Sequence, residues 1–418
     1  MAPSGRGLPS RRGSLSRRGV LAAGVLPAGA AVGAAGLPRA GTPPDGPVGF
    51  AVEGTYLDAA FTHPVGDFAA DAAARYVEAR RRDPQAVGPR ANPRRGAVER
   101  FARLINAAPA DVAVVPSTLV GENMLAASLG LGPDAGVVTD AFHYDGSLAL
   151  YGELARRGAP LTVVAPRAGR IDLADIRAAI APKTRLIAVS LVSGVTGFTH
   201  DLAELCALAH ARGVLVYADI IQAAGAMPVD VQASGVDFAA CGTYKWLMGD
   251  FGAAFLYVRP DRLDRLARVE VGWRQVVRQA SHVLPFEPPG PALGAYELAG
   301  GAAGLFEVST PAWGALAVAQ ASLDHILAVG VADIAAHRRP LIDRLQAELP
   351  SRGFRPLTPA GAPGPVVAFA ARDAAARYGE RLRRRDVRVS VYEHRIRISP
   401  SVYNTQDDID RLLVALAD

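Results

Sequence analysis

Lys245, in the stretch FAACGTYKWLMGDFG, is one of only two lysines among the 45 Lys and Arg residues of this chain. In such a composition a site that needs only positive charge drifts to Arg. A site that needs a nucleophilic amine cannot, because a guanidinium stays protonated and forms no Schiff base. The other lysine, Lys183 in APKTR, reads as an ordinary surface residue. Lys245 follows a strand-like apolar run and precedes an apolar, Gly-rich turn, where an idle ammonium would be costly. The residues point to an amine that does chemistry on a carbonyl.

Three further groups could work with it. Asp219 ends the run LVYAD, at the carboxyl end of a strand, where ligands of α/β sheets bind. An acid there can keep a pyridine nitrogen protonated; it can equally cap the next helix. With Lys245 one strand unit downstream, the first use is the better reading. Ser117 and Thr118, in VVPSTLVGENML, follow a strand and open a helix. Hydroxyls and free N–H groups converge there as a phosphate requires, although an ordinary Ser/Thr cap has the same sequence. Phe142 and His143, in VVTDAFHYDGS, lie just past another strand end, where a flat ring can stack on a heteroaromatic ligand or fill core. Cys206 and Cys241 stand in separate apolar segments with no metal-binding spacing, so neither a metal site nor a disulfide is expected. GLGPDAG (Gly130, Gly132, Gly136) misses the dinucleotide-binding spacing.

The elements that must position these residues alternate in period. RRGAVERFARLINA, TLVGENMLAASLG, SLALYGELARRG, DLADIRAAIA and DLAELCALAHARG have helical spacing; DVAVVP, GVVTD, LTVVAP, RLIAVSLV, VLVYADI, VDFAACG and GAAFLYV read as strands. Asp201 is placed as a helix cap, and Gly158 and Gly213 as helix stops. Continuous apolar strands fit a sheet covered on both faces. The expectation is an α/β protein with a large, doubly wound, mostly parallel sheet domain over 95–275. A smaller α+β lobe follows over 305–418, joined by residues 41–94, and 276–304 serves as linker or active-site loop.

The formal net charge of +5 does not signal nucleic acid. Six arginines and no acid fall within residues 1–40; beyond them basic and acidic residues nearly balance, leaving no stripe to track phosphates. That leader carries a twin arginine, Arg17-Arg18, before a weakly apolar Ala/Gly/Val run. It is read as a Tat-like export signal, with a cytoplasmic protein as the alternative. No stretch beyond the leader is long and apolar enough to be expected in a membrane.

VLVYADIIQAAGAMPVDVQASGVDFAACGTYKWLMGDFGAAFLYVR resembles the cofactor core of the class V aminotransferase family, and the resemblance extends over roughly residues 50–418. Its most specific part is D-x-x-Q…T-Y-K. The family has fold type I of the pyridoxal 5'-phosphate (PLP) enzymes and includes cysteine desulfurases, kynureninases and isopenicillin-N-epimerase-like proteins. The resemblance implies PLP as cofactor, with Lys245 forming the Schiff base and Asp219 pairing with the pyridine nitrogen. It places Gln222 near the phenolic oxygen, Ser117, Thr118 and Tyr244 at the phosphate, and Phe142 on the ring. FEVSTPAWG resembles a segment that reaches a neighbouring subunit's phosphate, which gives Thr310 that role and implies a homodimer. RIRISPSVYNTQDDIDRLL resembles the motif whose arginine, here Arg397, clamps a substrate α-carboxylate. Trp273, in VGWRQV, resembles a pocket residue of the kynureninase branch, and His63, in FTHP, is expected to line the entrance.

The expected function is epimerase, lyase or aminotransferase chemistry on an α-amino acid, nearest the isopenicillin-N-epimerase-like branch. Kynureninase-like or C–S lyase activity is the alternative. A non-catalytic exported binding protein on the same fold is the reading of another class; the presence of Lys245, Asp219 and Arg397 opposes it. Two departures stand out. Gly194 occupies a position that is often Asn in the family, and residues 351–395 hold no Cys, so persulfide-forming desulfurase activity is not expected.

Overall fold

The computed structural model describes residues 49–417, which belong to one compact unit, Thr42–Asp418. The export signal read at 1–40 lies outside the described residues. Seven strands form the central sheet, in the spatial order Val112–Val115, Ala254–Val258, Phe238–Gly242, Leu215–Asp219, Thr184–Ser190, Gly136–Asp140, Leu161–Val164. The last five in that order run parallel. Ala254–Val258 is antiparallel to both its neighbours. Except for the edge strand Leu161–Val164, whose middle residues are exposed, the apolar runs that read as strands are buried along nearly their whole length, as a sheet with both faces covered requires. This is the expected α/β architecture, with a mostly parallel sheet.

Register brings the carboxyl ends of the middle strands level. Ser190 stands opposite Asp219, and Asp219 opposite Ala240. The crossover helices Thr118–Ser128, Asp145–Arg156, Leu173–Ala179 and Leu202–His210 return the chain across the faces. Their ends follow the sequence signals. Asp201 accepts from Glu204 N–H at 2.9 Å, and Gly158 and Gly213 take the positive φ that stops a helix.

The smaller lobe holds an antiparallel sheet in the order Arg355–Pro356, Val367–Ala370, Arg395–Ile398, Ser390–Val391. Helices Val331–Glu348, Ala374–Arg384 and Gln406–Leu416 contribute to the apolar core around it. The N-terminal segment reaches this lobe: Thr55–Tyr56 pairs in parallel with Val387–Arg388, and Asp58 bridges Ser399. Its helix Asp67–Arg82 packs on Trp313–Val329, which also packs on Pro93–Leu104. Trp313–Val329 buries Leu316, Leu323 and Ile326 in the core cluster of the large sheet. The 276–304 segment carries its own two-stranded sheet, Val276–Gln279 against Tyr296–Leu298.

Candidate active site

Asp219 is the last residue of its strand and is buried, at 4% exposure. Its Oδ1 accepts from Ile221 N–H at 2.9 Å. Burial pushes the carboxyl up to about 6; the Ile221 N–H, His143 and Lys245 pull the other way.

The next strand, Phe238–Gly242, delivers Thr243, Tyr244 and Lys245 to the same edge. The loop closes on itself: Thr243 N–H donates to Ala253 O at 3.1 Å, Gly249 N–H to Thr243 O at 2.8 Å, and Met248 N–H to Lys245 O at 2.8 Å. Thr243 Oγ1 lies 2.9 Å from Ala253 O and also meets Asp250 O. Lys245 therefore sits on a fixed turn. Burial lowers its pKa, Asp219 opposes that, and Arg397 adds to the lowering. The result is an amine that loses its proton more readily than a free lysine, which a nucleophile requires.

Trp246 orients Gln222. The indole Nε1–H donates to Gln222 Oε1 at 2.8 Å, and Gln222 Nε2 donates to Ala60 O at 3.0 Å. Against the indole lies the buried Arg338 guanidinium, 5.4 Å from the ring centre. At the other end of the site, Ser117 caps its helix by accepting from Val120 N–H at 3.2 Å. Thr118 Oγ1 accepts from Gly242 N–H at 2.8 Å, tying the helix start to the strand that leads to Lys245. Gly242 permits this approach, since a Cβ there would lie 3.2 Å from Thr118 Oγ1 and 3.3 Å from the Tyr244 ring. Tyr244 is half-buried and stacks on Phe251 with ring centres 4.7 Å apart. Phe142 is half-buried, 6.0 Å from the Phe198 ring centre.

Arg397, on the small-lobe strand Arg395–Ile398, is buried at 6% exposure. Its Nη1 donates to Gly194 O at 3.0 Å. Its Nη2 donates to Asp58 Oδ1 at 3.1 Å and to Ser390 Oγ at 2.8 Å. Its Nε is buried without a partner.

Some expected members stand elsewhere. His63 does not line an entrance: it is 1% exposed. Its Nδ1 lies 2.8 Å from Pro64 O and its Nε2 2.8 Å from Ser401 Oγ. Phe50 and Tyr403 pack edge-on against the ring, and burial pushes its pKa down to about 4. It remains close to the site through the backbone, donating its N–H to Tyr244 O at 3.0 Å. Trp273 is exposed with its ring against Arg274, and Thr310 is exposed. Among the described residues no hydrogen bond or ring contact joins either to the Lys245 cluster within one chain. Cys206 and Cys241 are free and buried, and burial pushes both thiols up, Cys206 to about 12.

Sequence reasoning missed two features. One is the Asp58–Ser390 pair on Arg397. The other is a buried network beneath Asp219: Glu122 Oε1 lies 3.0 Å from His143 Nε2 and accepts from Tyr151 OH at 2.7 Å, while Glu122 Oε2 accepts from Ser147 Oγ at 2.5 Å. His143 Nδ1 lies 2.9 Å from Ser190 Oγ. Burial alone would lower the His143 pKa; Glu122, with Asp219 and Asp140, outweighs it and leaves that pKa raised. An acid one helical turn beyond Thr118, on the face that covers the sheet, was the only signal in the sequence.

A lysine amine and a buried acid at the carboxyl edge of a doubly wound sheet, with an arginine from a second lobe, define a fold type I enzyme site. The chain matches the Aminotransferase class-V family over residues 91–412 and belongs to that family. It is 30% identical to the isopenicillin N epimerase of Streptomyces clavuligerus over 342 residues, covering 76% of this chain and 82% of that one. The apo cysteine desulfurase of Thermococcus onnurineus NA1 superposes with a TM-score of 0.77 at 21% identity, over 90% of this chain and 97% of the other. C-DES, a cystine C–S lyase, solved as a mutant with glycine covalently linked to its PLP cofactor, gives a TM-score of 0.73 at 21% identity, over 88% and 97%. The protein is an enzyme of the class V aminotransferase family.

Proposed function

We propose that this enzyme binds pyridoxal 5'-phosphate and moves protons at Cα of an α-amino acid, as an epimerase-like member of its family. The carrying observation is the pairing at the sheet edge of an amine with a lowered pKa, Lys245, and a carboxyl with a raised one, Asp219. The residues fit the cofactor. Lys245 offers an amine to an aldehyde, and Asp219, costly to ionise alone, suits a protonated ring nitrogen. Gly194 leaves space that a side chain would fill: a Cβ there would stand 3.4 Å from Gln222 Nε2 and 3.9 Å from Arg397 Nη1. Bound PLP withdraws electrons from the substrate's Cα and weakens its bonds.

The chain supplies the rest. Ser117, Thr118 and Tyr244 hold the phosphate end. Gln222, fixed by Trp246, would hydrogen-bond the ring's phenolic oxygen, and Phe142 would stack on the ring. Arg397 would hold the substrate carboxylate, and Lys245 Nζ would take the Cα proton from the face it covers, with a solvent-derived proton delivered to the opposite face. The burial of both thiols supports a reaction that needs no protein sulfur, and the 30% identical epimerase supports proton return over bond cleavage. Thr310 and Trp273 act in a homodimer in this reading. Their exposure, beside exposed Val271, Val277, Phe286 and Leu293, supports a covered face. The Arg17-Arg18 leader supports export.

The test is the visible absorption spectrum of the purified protein after PLP is added, beside Lys245→Arg. The wild type should show a band that borohydride bleaches, and the variant should show none. Amino acids that alter the band are then incubated with the enzyme in D2O. Deuterium at Cα with inverted chirality is expected. The absence of any band in the wild type would overturn the reading.

A further inference from the structure

Arg397 is already engaged, and the partner is an anion. Nη2 of a guanidinium belongs to both of the edges that can grip a carboxylate with two parallel bonds, Nε–Nη2 and Nη1–Nη2. Its two hydrogens go to Asp58 Oδ1 at 3.1 Å and Ser390 Oγ at 2.8 Å. Ser390 Oγ in turn lies 2.7 Å from Asp58 Oδ2 and 2.9 Å from Oδ1. The adjacent Nε–H is buried with no acceptor. A two-pronged grip on a ligand is therefore closed until Asp58 lets go, and the donor that would complete it is waiting.

We propose that Asp58 is a specificity-determining residue, a built-in carboxylate that holds Arg397 in the resting site and yields it to a substrate carboxylate as it takes up one proton. The proposal rests on the reading of Arg397 as the carboxylate clamp. One guanidinium balances one anion, and two ionised carboxylates on it in a site shielded from water repel. Protonation of Asp58 removes the conflict. One proton passes from solvent to an Asp58 oxygen, the Nη2–Asp58 bond is exchanged for a bond to the ligand, and the charge of the pocket is unchanged. The neutral acid keeps a partner, because Ser390 Oγ lies within reach to accept its O–H. Burial already pushes the Asp58 carboxyl up, against Arg397, Ser390 and Lys245.

The titratable and charged groups that act on Asp58 come from every side. Arg397 lies on its own strand, Lys245 on the loop after Phe238–Gly242, Tyr56 on the Thr55–Tyr56 strand with Arg388 facing it, and Tyr403 beyond Arg395–Ile398. Burial pushes Tyr56 up to about 12 and Tyr403 well above 10, so neither titrates near neutrality. Lys245 is the one competing group, and a variant at Asp58 separates the two.

The test uses propionate, a carboxylate with no amine, titrated calorimetrically into the PLP-loaded protein. Two buffers of different ionisation heat give the proton count. Wild type should take up close to one proton per propionate bound at pH 8. Its affinity should fall about tenfold per pH unit above the Asp58 pKa. Asp58→Asn should bind more tightly, with no uptake and no slope; binding by this variant alone supports the proposal equally. Wild-type binding without proton uptake overturns the proposal with no variant needed, and so does unchanged affinity in Asp58→Asn. Arg397→Leu separates the two readings. Loss of binding there with a zero proton count in wild type sinks only the role of Asp58. Propionate binding that survives Arg397→Leu, or that is absent from wild type and Asp58→Asn alike, sinks the clamp itself.

Discussion

Replacing Asp219 with Asn should stabilise the protein when no cofactor is bound. A carboxyl whose pKa rises from 3.8 to about 6 is about 3 kcal/mol costlier to ionise in the fold than in water. The sign follows from proton binding. Between pH 4 and 6 the native state holds a proton that the unfolded chain has released, so stability from this group falls as pH rises through that window. Above pH 6 the full cost is present. Asn has the same shape and no charge, and its carboxamide oxygen can still accept from Ile221 N–H. Thermal melts of the cofactor-free variant at pH 7.5 should thus run ~4 °C above wild type for a domain of this size, and the gap should close below pH 4. With PLP the order should reverse if Asp219 has its proposed role, because the variant would lack the anion proposed to pair with a protonated ring nitrogen. Breaking such a buried pair costs about 3–5 kcal/mol, or about 10²- to 10⁴-fold in turnover. A variant that melts below wild type by the same margin at pH 7.5 and at pH 4 would refute the argument. It would mean that the carboxylate is comfortable alone and is not held in readiness for a cation.

Two further outcomes follow from the surroundings of the site. Trp246→Phe removes the 2.8 Å hydrogen bond to Gln222 Oε1 while keeping an aromatic ring over Arg338. A bond of this kind is worth about 1 kcal/mol, with a further penalty for the amide oxygen left buried, so PLP affinity measured by fluorescence quenching should weaken about 10-fold. His63→Gln should lose a pH dependence. Burial holds the imidazole at about 4, so the unfolded chain binds a proton that the native state refuses between pH 4 and 6.5. Wild type therefore loses up to about 3 kcal/mol from this group as pH falls through that window, and the variant should not. Urea unfolding of both proteins at pH 5 and pH 7.5 checks the difference.

The members of the candidate site were legible wherever they lie close in sequence and have a residue type that few chemistries need. Lys245 is conspicuous because the chain uses arginine almost everywhere else, and Asp219 and Gln222 arrive from the adjoining strand. His63 failed for the opposite reason. FTHP looks like an exposed turn, and its burial is made by Phe50, Trp246 and Tyr403, which converge from three separate parts of the chain. Apolar spacing likewise predicts the helix Trp313–Val329 without naming the helices it packs on.

Asp58 makes the physical distinction sharpest. Alone, in TYLDAAF, it is one acid in an N-terminal segment with no charge pattern. Its meaning comes from a guanidinium 339 residues away. A residue type fixes what a group can do, and the sequence displays that directly. The proton a group holds and the partner it must release depend on what is buried beside it, and those neighbours are assembled by the fold. The family of this enzyme could therefore be recognised in one dimension, from the segments that hold Lys245, Asp219 and Arg397. The contact of Asp58 with Arg397 became visible only when Thr55–Tyr56 paired with Val387–Arg388 and carried Asp58 onto the small lobe.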